Sequence, residues 1–473
     1  MKRADEVYLS EWLKDKRRKP LILRGARQVG KSTLIRQFAS QQGLVLNEIN
    51  LERHLSLGKA FATLDVKRIC SELEVHTGRP VTAPGSLLFL DEIQAVPQAL
   101  AALRYFHEEL PELPVIAAGS LLEFTLADHA FSMPVGRIAY HHLGPMTFRE
   151  FVEAISPDAL RYLNTFTIDC PLPEAAHQLL MGLVRQYLFV GGMPEAIQAY
   201  CETGSMQSAV AVHRSIIHTY EDDFAKYARS KDLALIQEVF RRIPSMVGQK
   251  VKYVNFSRDV LSRDIKAILQ MLRKARVCHA VYNSPCSGIP LRANMDETAW
   301  KLLFLDVGLM NYACGMDWLA IQQLNELQLV NEGAVAEQFI GQHLAYLEGG
   351  LEEPALVYWL REGRSDNAEL DYVLSRGSDI FPVEVKAGKG GSLRSLHQFA
   401  MAKKMRKAFR FDANPPSRQT LTLSAAGSDA DATFELVSLP LYAVCELGRL
   451  MDEERMRIAP PPPLETALLI TEP

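Results

Sequence analysis

The run Gly25-Ala26-Arg27-Gln28-Val29-Gly30-Lys31-Ser32, followed by Thr33, has the spacing G-x-x-x-x-G-K-S. Glycines at those positions let backbone N–H groups turn inward around phosphate oxygens with no side chain in the way. Lys31 then reaches the β- and γ-phosphates of a nucleotide, and Ser32 offers its hydroxyl to Mg²⁺. A helix opening at Lys31-Ser32-Thr33-Leu34 would aim its positive end at the same anion. Further along, Leu87-Leu88-Phe89-Leu90-Asp91-Glu92 is an apolar run that ends in two carboxylates. That is the pattern of a buried strand whose tip meets the metal, with Asp91 holding Mg²⁺ and Glu92 orienting and polarising the attacking water. A second apolar run, Val115-Ile116-Ala117-Ala118, ends at Gly119-Ser120, which puts Ser120 in position to sense the γ-phosphate. These residues together imply binding and hydrolysis of ATP with Mg²⁺.

A separate set of polar residues lies late in the chain, with Glu369-Leu370-Asp371 on one expected strand and Glu384-Val385-Lys386 on the next. Side chains alternate along a strand, so Glu384 and Lys386 share a face beside Asp371. Such a face is hydrolytic: Asp371 and Glu384 would bind Mg²⁺, and Lys386 would orient or help deprotonate a water attacking a phosphodiester. Glu337, on a helix expected over residues 332–344, would add a ligand. Arg394, His397 and Gln398 follow, and then the basic run Lys403-Lys404-Met405-Arg406-Lys407. The same strands also read as a hairpin with an exposed Lys–Glu pair and no chemistry. His141 and His142, adjacent on a strand, face opposite sides and do not make a joint metal site.

The elements that must position these residues follow from the patterning. Residues 20–153 alternate short apolar strands (21–23, 44–46, 87–90, 115–118 and 138–140) with helical stretches, as a parallel sheet covered on both faces would. Thr147-Phe148-Arg149-Glu150 is a T-x-x-E capping box that opens a helix after the last strand. Residues 156–330 read as mainly helical, broken at Gly191-Gly192-Met193-Pro194 and by a β-rich stretch at 250–256. Residues 262–272 place apolar positions at helical spacing with basic residues opposite. After residue 331 a helix leads into strands at 357–360, 370–374 and 381–385. The run of prolines at 460–463 begins an extended tail.

A chain of 473 residues exceeds what one hydrophobic core supports, so two to four domains are expected. With 48% apolar and 23% charged residues the composition is that of a globular protein, and a net charge of -4 restricts any nucleic-acid surface to a local basic patch. Seven scattered cysteines, none spaced C-x-x-C, suggest free thiols rather than disulfides or structural zinc. The N-terminus runs straight into charged helical sequence, and no apolar run approaches membrane-spanning length, so the expected location is the cytoplasm.

In order and spacing the N-terminal residues resemble the AAA-plus type of P-loop ATPase. More narrowly, the chain resembles prokaryotic AAA ATPases fused to a C-terminal domain of uncharacterised function. The resemblance runs through the phosphate loop, Leu90-Asp91-Glu92-Ile93-Gln94, Ala118-Gly119-Ser120, Gly136-Arg137, Gly191-Gly192-Met193-Pro194-Glu195 and Leu305-Asp306-Val307-Gly308-Leu309. It implies Arg137 as the arginine that completes the ATP site, within the subunit or across an interface of a homo-oligomer. It also points to a winged helix-turn-helix in the middle region, where Arg258, Arg263, Lys266, Arg273, Lys274 and Arg276 would contact DNA phosphates. Glu337, Asp371, Glu384 and Lys386 resemble the signature of the PD-(D/E)XK nucleases. The α/β fold so implied is a P-loop ATPase domain (1–153), a helical connector with a winged-helix-like module (154–330), a restriction-endonuclease-like domain (331–455) and a Pro-rich tail (456–473). The function implied is ATP hydrolysis coupled to a nuclease-like domain that acts on or binds DNA. The alternative is a nucleotide-dependent switch whose silent C-terminal domain docks a protein or nucleic acid.

Overall fold

Five apolar runs of the N-terminal third form one parallel sheet: β1 Leu21–Arg24, β2 Val45–Asn50, β3 Ser86–Asp91, β4 Val115–Gly119 and β5 Ala139–His142. In this computed structural model the described residues are 1–119, 136–227, 230–316, 318, 332–351, 354–362, 367–386, 393–403, 405–424 and 431–458. The strand order is β2-β3-β4-β1-β5, so β1 lies between β4 and β5, and the tips of β1 and β3 open on the same edge. Every residue of β3 and β4 is buried, which explains why both read as unbroken apolar runs without alternation. Helices Lys31–Gln41, Val66–Thr77 and Gln98–Glu109 cover the faces. After β5 the Thr147 side chain caps helix Phe148–Ile155 in a full capping box with Glu150.

Helices Glu174–Val190, Pro194–Thr203 and Met206–Tyr227 form the connector, followed by Ser230–Arg242 and Ser262–Lys274. The β-rich stretch expected at 250–256 is not a strand. It makes one bridge, Lys250 with Lys301, and then a 3-10 turn at Tyr253–Asn255. The strands of this region come later, as the antiparallel hairpin of β6 Cys278–Asn283 and β7 Asp296–Phe304.

That hairpin does not stand in a module of its own. β6 pairs in parallel with β8 Leu356–Arg361, and the sheet continues through β9 Ala368–Arg376, β10 Asp379–Val385, β11 Lys407–Asp412, β13 Asp431–Pro440 and β12 Ser417–Ser424. The eight strands run in the order β12-β13-β11-β10-β9-β8-β6-β7. A boundary at residue 330 therefore falls between strands of one sheet. β11, β12 and β13 extend the sheet beyond the three strands expected for this part of the chain.

Helix Arg394–Lys403 packs on one face of this sheet, where Leu396, Phe399 and Ala400 meet Trp359, Leu370 and Leu436. The other face joins a core that also takes in Leu9, Phe38, Phe151, Tyr187, Phe304, Phe339 and Met451. One hydrophobic core thus runs from the first helix, Asp5–Lys14, to the last described one, Leu447–Ile458. The opposite face of the N-terminal sheet has its own cluster, which includes Ile22, Leu88, Ile69 and Leu103. Among the described residues no helix is long and apolar enough to cross a membrane.

Candidate functional site

The loop after β1 wraps the head of helix Lys31–Gln41, whose N-cap is Gly30 at φ 91°. A side chain there would be strained, and its Cβ would lie 3.3 Å from Pro194. Lys31 is buried, and its Nζ donates to the carbonyls of Gly25 at 3.1 Å and Ala26 at 2.8 Å. Burial pushes its pKa down to about 8, while Glu92 and Asp91 pull it upward. The Ser32 hydroxyl donates to Asp91 Oδ2 at 3.0 Å, so the two oxygens expected to share Mg²⁺ already face each other. An aliphatic hydroxyl and a carboxylate suit a hard divalent cation. Burial raises the pKa of Asp91, and the Ser32 hydrogen bond partly opposes the shift. Glu92 sits at φ 50°, in the left-handed region uncommon for such a residue, and its carboxylate takes a bond from the Gln94 amide.

Gly30, Lys31, Ser32 and Glu92 line a cavity of about 530 Å³ that also includes Met1, Met146, Pro194 and Gln198. Its rim is held by residues with no obvious sequence signal. Arg3 is buried and donates to the Val29 carbonyl at 3.0 Å, to the Gly144 carbonyl at 2.9 Å and to Glu150 Oε1 at 3.0 Å. It ties the phosphate loop to the capping box. Arg27 is ion-paired with Asp223, and its carbonyl accepts from the Tyr220 hydroxyl at 3.1 Å, so helix Met206–Tyr227 grips the loop from the connector side.

Gly191 and Gly192 explain the break before Pro194. Gly191 adopts φ 73°, and a Cβ there would stand 2.1 Å from Asp306 Oδ1. Asp306 is fully buried, takes the Gly192 N–H at 2.6 Å and caps helix Val307–Ala313 through the Leu309 N–H at 3.0 Å. Burial raises the Asp306 pKa, and these N–H donors oppose it. Gln342 reaches the same carboxylate at 3.2 Å and also donates to the Tyr187 hydroxyl at 3.0 Å. The Gly191-Gly192 and Leu305-Asp306-Val307-Gly308 segments, far apart in sequence, are one interlocking contact.

The second polar cluster brings together all four residues expected there. Asp371 Oδ2 accepts the Val385 N–H at 2.7 Å, and Lys386 donates to Glu384 Oε1 at 2.5 Å. Glu337 projects from helix Glu332–Leu344, with burial pushing its pKa up to about 8. Burial, with Asp371 adding to it, brings Glu384 to about 7. Unforeseen from sequence, Lys301 of β7 enters the same cluster. Its Nζ lies 3.0 Å from Glu337 Oε1, against Glu369, and 4.0 Å from Asp371 Oδ1. Among the described residues no group of three or more His, Cys, Asp or Glu is arranged to hold a metal ion.

The basic surfaces are smaller than the sequence suggests. Lys407 is buried among Glu435 and Glu454, Met405 is buried, and Lys404 lies outside the described residues. Arg273 of the middle helix lies over the rings of Tyr282 and Trp300, and Arg276, just past the helix end, is buried near His142. Arg258, Arg263, Lys266 and Lys274 stay exposed.

Residues 17–152 match the family model described as an AAA domain. The module is an AAA-type P-loop ATPase. Residues 181–320 and 332–440 match two models described as domains of unknown function, DUF8612 and DUF4143. No curated protein matches the chain. Among solved structures, the RuvB Holliday junction branch migration motor of Thermotoga maritima aligns over 58% of this chain and 88% of its own, at 16% identity and a TM-score of 0.27. The FIGL-1 AAA domain aligns over 54% and 77%, at 14% identity and 0.24. Both scores are too low for either likeness to bear on this chain.

Within the ATPase, of two further residues expected at the site, one is not among those described and the other stands apart from the cavity. Ser120 lies outside the described residues. Arg137 precedes β5, whose first residue, Ala139, pairs with Leu21 at the start of β1, so it sits at the sheet edge opposite the phosphate loop. There it is half-exposed and bonded to Glu108 at 3.0 Å.

Proposed function

We propose that the chain is a Mg²⁺-dependent ATP-hydrolysing switch whose nucleotide state is read by the C-terminal, restriction-endonuclease-like domain, which binds DNA. In this reading the backbone of residues 25–33 cradles the phosphates, with Lys31 on the β- and γ-phosphates. Ser32 and Asp91 hold Mg²⁺, Glu92 orients the attacking water, and Ser120 senses the γ-phosphate. Arg137, remote from its own subunit's cavity, would serve the site of a neighbouring copy.

The observation that carries the coupling is one helix, Glu332–Leu344. Its Glu337 enters the C-terminal cluster, its Gln338 bonds both the N–H and the carbonyl of Phe304 at 2.8 Å, and its Gln342 reaches Asp306. Asp306 in turn holds Gly192, whose carbonyl accepts the N–H of Met146 on the cavity wall at 2.7 Å. A shift of Pro194 or Met146 around a nucleotide would therefore load the helix that carries Glu337. The exposed Arg258, Arg263, Lys266 and Lys274 supply the phosphate-contacting charge, on and near helix Ser262–Lys274, beside a hairpin that is part of the larger sheet rather than of a separate winged helix.

The test is duplex DNA binding by Glu92→Gln in ATP and in ADP. Coupling predicts different affinities in the two states and loss of the difference in Gln342→Ala. Equal affinities in both states for the parent would refute it. Plasmid cleavage in Mg²⁺ or Mn²⁺, with Asp371→Ala and Lys386→Ala as controls, separates cutting from binding. Lys301 in the acidic cluster favours binding alone.

A further inference from the structure

Lys301 sits in the middle of β7 between Trp300 and Leu302, both buried, and its side chain is only 2% exposed. A lysine in such a run normally reaches out to water. Here its ammonium turns into the cluster, touching Glu337 and Glu369, approaching Asp371, and lying 5.2 Å from the centre of the Tyr358 ring. Three carboxylates, those of Glu337, Glu369 and Asp371, surround the buried ammonium and offset the cost of taking it from water. Glu384, 4% exposed, completes the acidic set: its Oε1 receives Lys386, and its Oε2 is buried without a hydrogen-bond partner among the described residues.

We propose that Lys301 is the resident cation of this cluster, a tethered ammonium supplied by the β6–β7 hairpin that shuts out a divalent metal. The inference rests on the endonuclease-like reading of Glu337, Asp371, Glu384 and Lys386. A divalent ion needs carboxylate oxygens within roughly 2.0–2.6 Å. The oxygens it would draw on, Glu337 Oε1 and Asp371 Oδ1, are those the ammonium faces at 3.0 and 4.0 Å. Metal and ammonium would occupy the same space between like-charged partners, and only one can be held. The hairpin thereby sets the chemistry of a domain it precedes in sequence: the cluster stays satisfied, and the face is left for recognition rather than hydrolysis. Removing the ammonium frees Glu337, Asp371 and Glu384, which as they stand are not arranged to hold a metal, to close on a divalent ion.

Mn²⁺ binding, followed by electron paramagnetic resonance on the full chain without nucleotide, tests this. All proteins carry Asp91→Asn to remove the carboxylate at the ATP site. The parent and Lys301→Arg should bind Mn²⁺ only weakly. Lys301→Met should gain one site at least about 100-fold tighter, and adding Asp371→Asn should abolish it. A Lys301→Met protein with no gain overturns the proposal. So does a parent that already binds Mn²⁺ at micromolar concentrations and loses it on Asp371→Asn. That second comparison stands even if Lys301→Met does not fold. ATP-dependent DNA affinity, read on chains with Asp91 intact, reports separately on the switch.

Discussion

In the proposed ATP site the residues would divide into those that hold nucleotide and those that act on water. Lys31→Ala should weaken ATP binding by about 10- to 100-fold, the worth of hydrogen bonds to a charged phosphate. Glu92→Gln should bind ATP normally and lose about 10²- to 10⁴-fold in turnover, the range for a positioned proton acceptor. Fluorescent-nucleotide titration and phosphate release separate the two, and normal turnover by Lys31→Ala would remove the loop from the mechanism. These residues were legible in sequence because their chemistry is local: one loop, one helix start and one strand tip contain them. Arg3 and Lys301 were not, because each works through partners distant in the chain. Lys301 did leave a trace, as a lone charge inside Trp300-Lys301-Leu302-Leu303-Phe304. Only the fold shows that its head meets Glu337 rather than water.

Among elements, the contacts of helix Glu332–Leu344 and of Gly191 are the most sensitive to change. Gly191→Ala forces a Cβ against Asp306 at a φ of 73° and should cost about 3 kcal/mol in stability, read by denaturant unfolding. His343 on the same helix accepts the Phe148 N–H at Nε2, 2.8 Å away, and so must be neutral there. Burial lowers its pKa from 6.5 to about 4. A base depressed in the folded state protonates first in the unfolded chain, so stability present above pH 6.5 is lost as pH falls toward 4. His343→Asn should flatten the acid limb by up to about 1.4 kcal/mol per pH unit, measured as unfolding free energy across that window; an unchanged slope would assign the acid sensitivity elsewhere. Strands β3 and β4 could be read from sequence because full burial leaves unbroken apolar runs, whereas interior strand β11, with Lys407, Arg410 and Asp412, shows no such run. The stretch at 250–256 misled because Val251, Tyr253 and Val254 have strand-forming side chains, while the backbone finds one bridging partner and turns.

For the whole molecule, the sequence showed the separate families of pattern but not their fusion. Nothing local in Cys278–Asn283 says that it will pair with Leu356–Arg361, because register between distant strands is set by the closed sheet. Cutting the chain near residue 330 should therefore yield neither half as a stable domain. The expected result is loss of near-ultraviolet dichroism and aggregation on size exclusion for residues 1–330 and 331–458. Two well-folded monomers would contradict the shared sheet. If Arg137 serves a neighbouring copy, Arg137→Ala should keep ATP binding and lose turnover, and mixing it with Lys31→Ala should restore part of the activity.

The continuous core also sets the order in which the protein can be made. Leu9 and Trp12 lie in the same apolar cluster as Leu450 and Met451, which are translated long after them. The face built from Ile22, Leu88 and Leu103 can close early, from segments close in sequence. The other face must wait, apolar and uncovered, until helix Leu447–Ile458 emerges. Apolar surface left uncovered in an incomplete chain is prone to aggregate, so that face is where synthesis exposes the protein most.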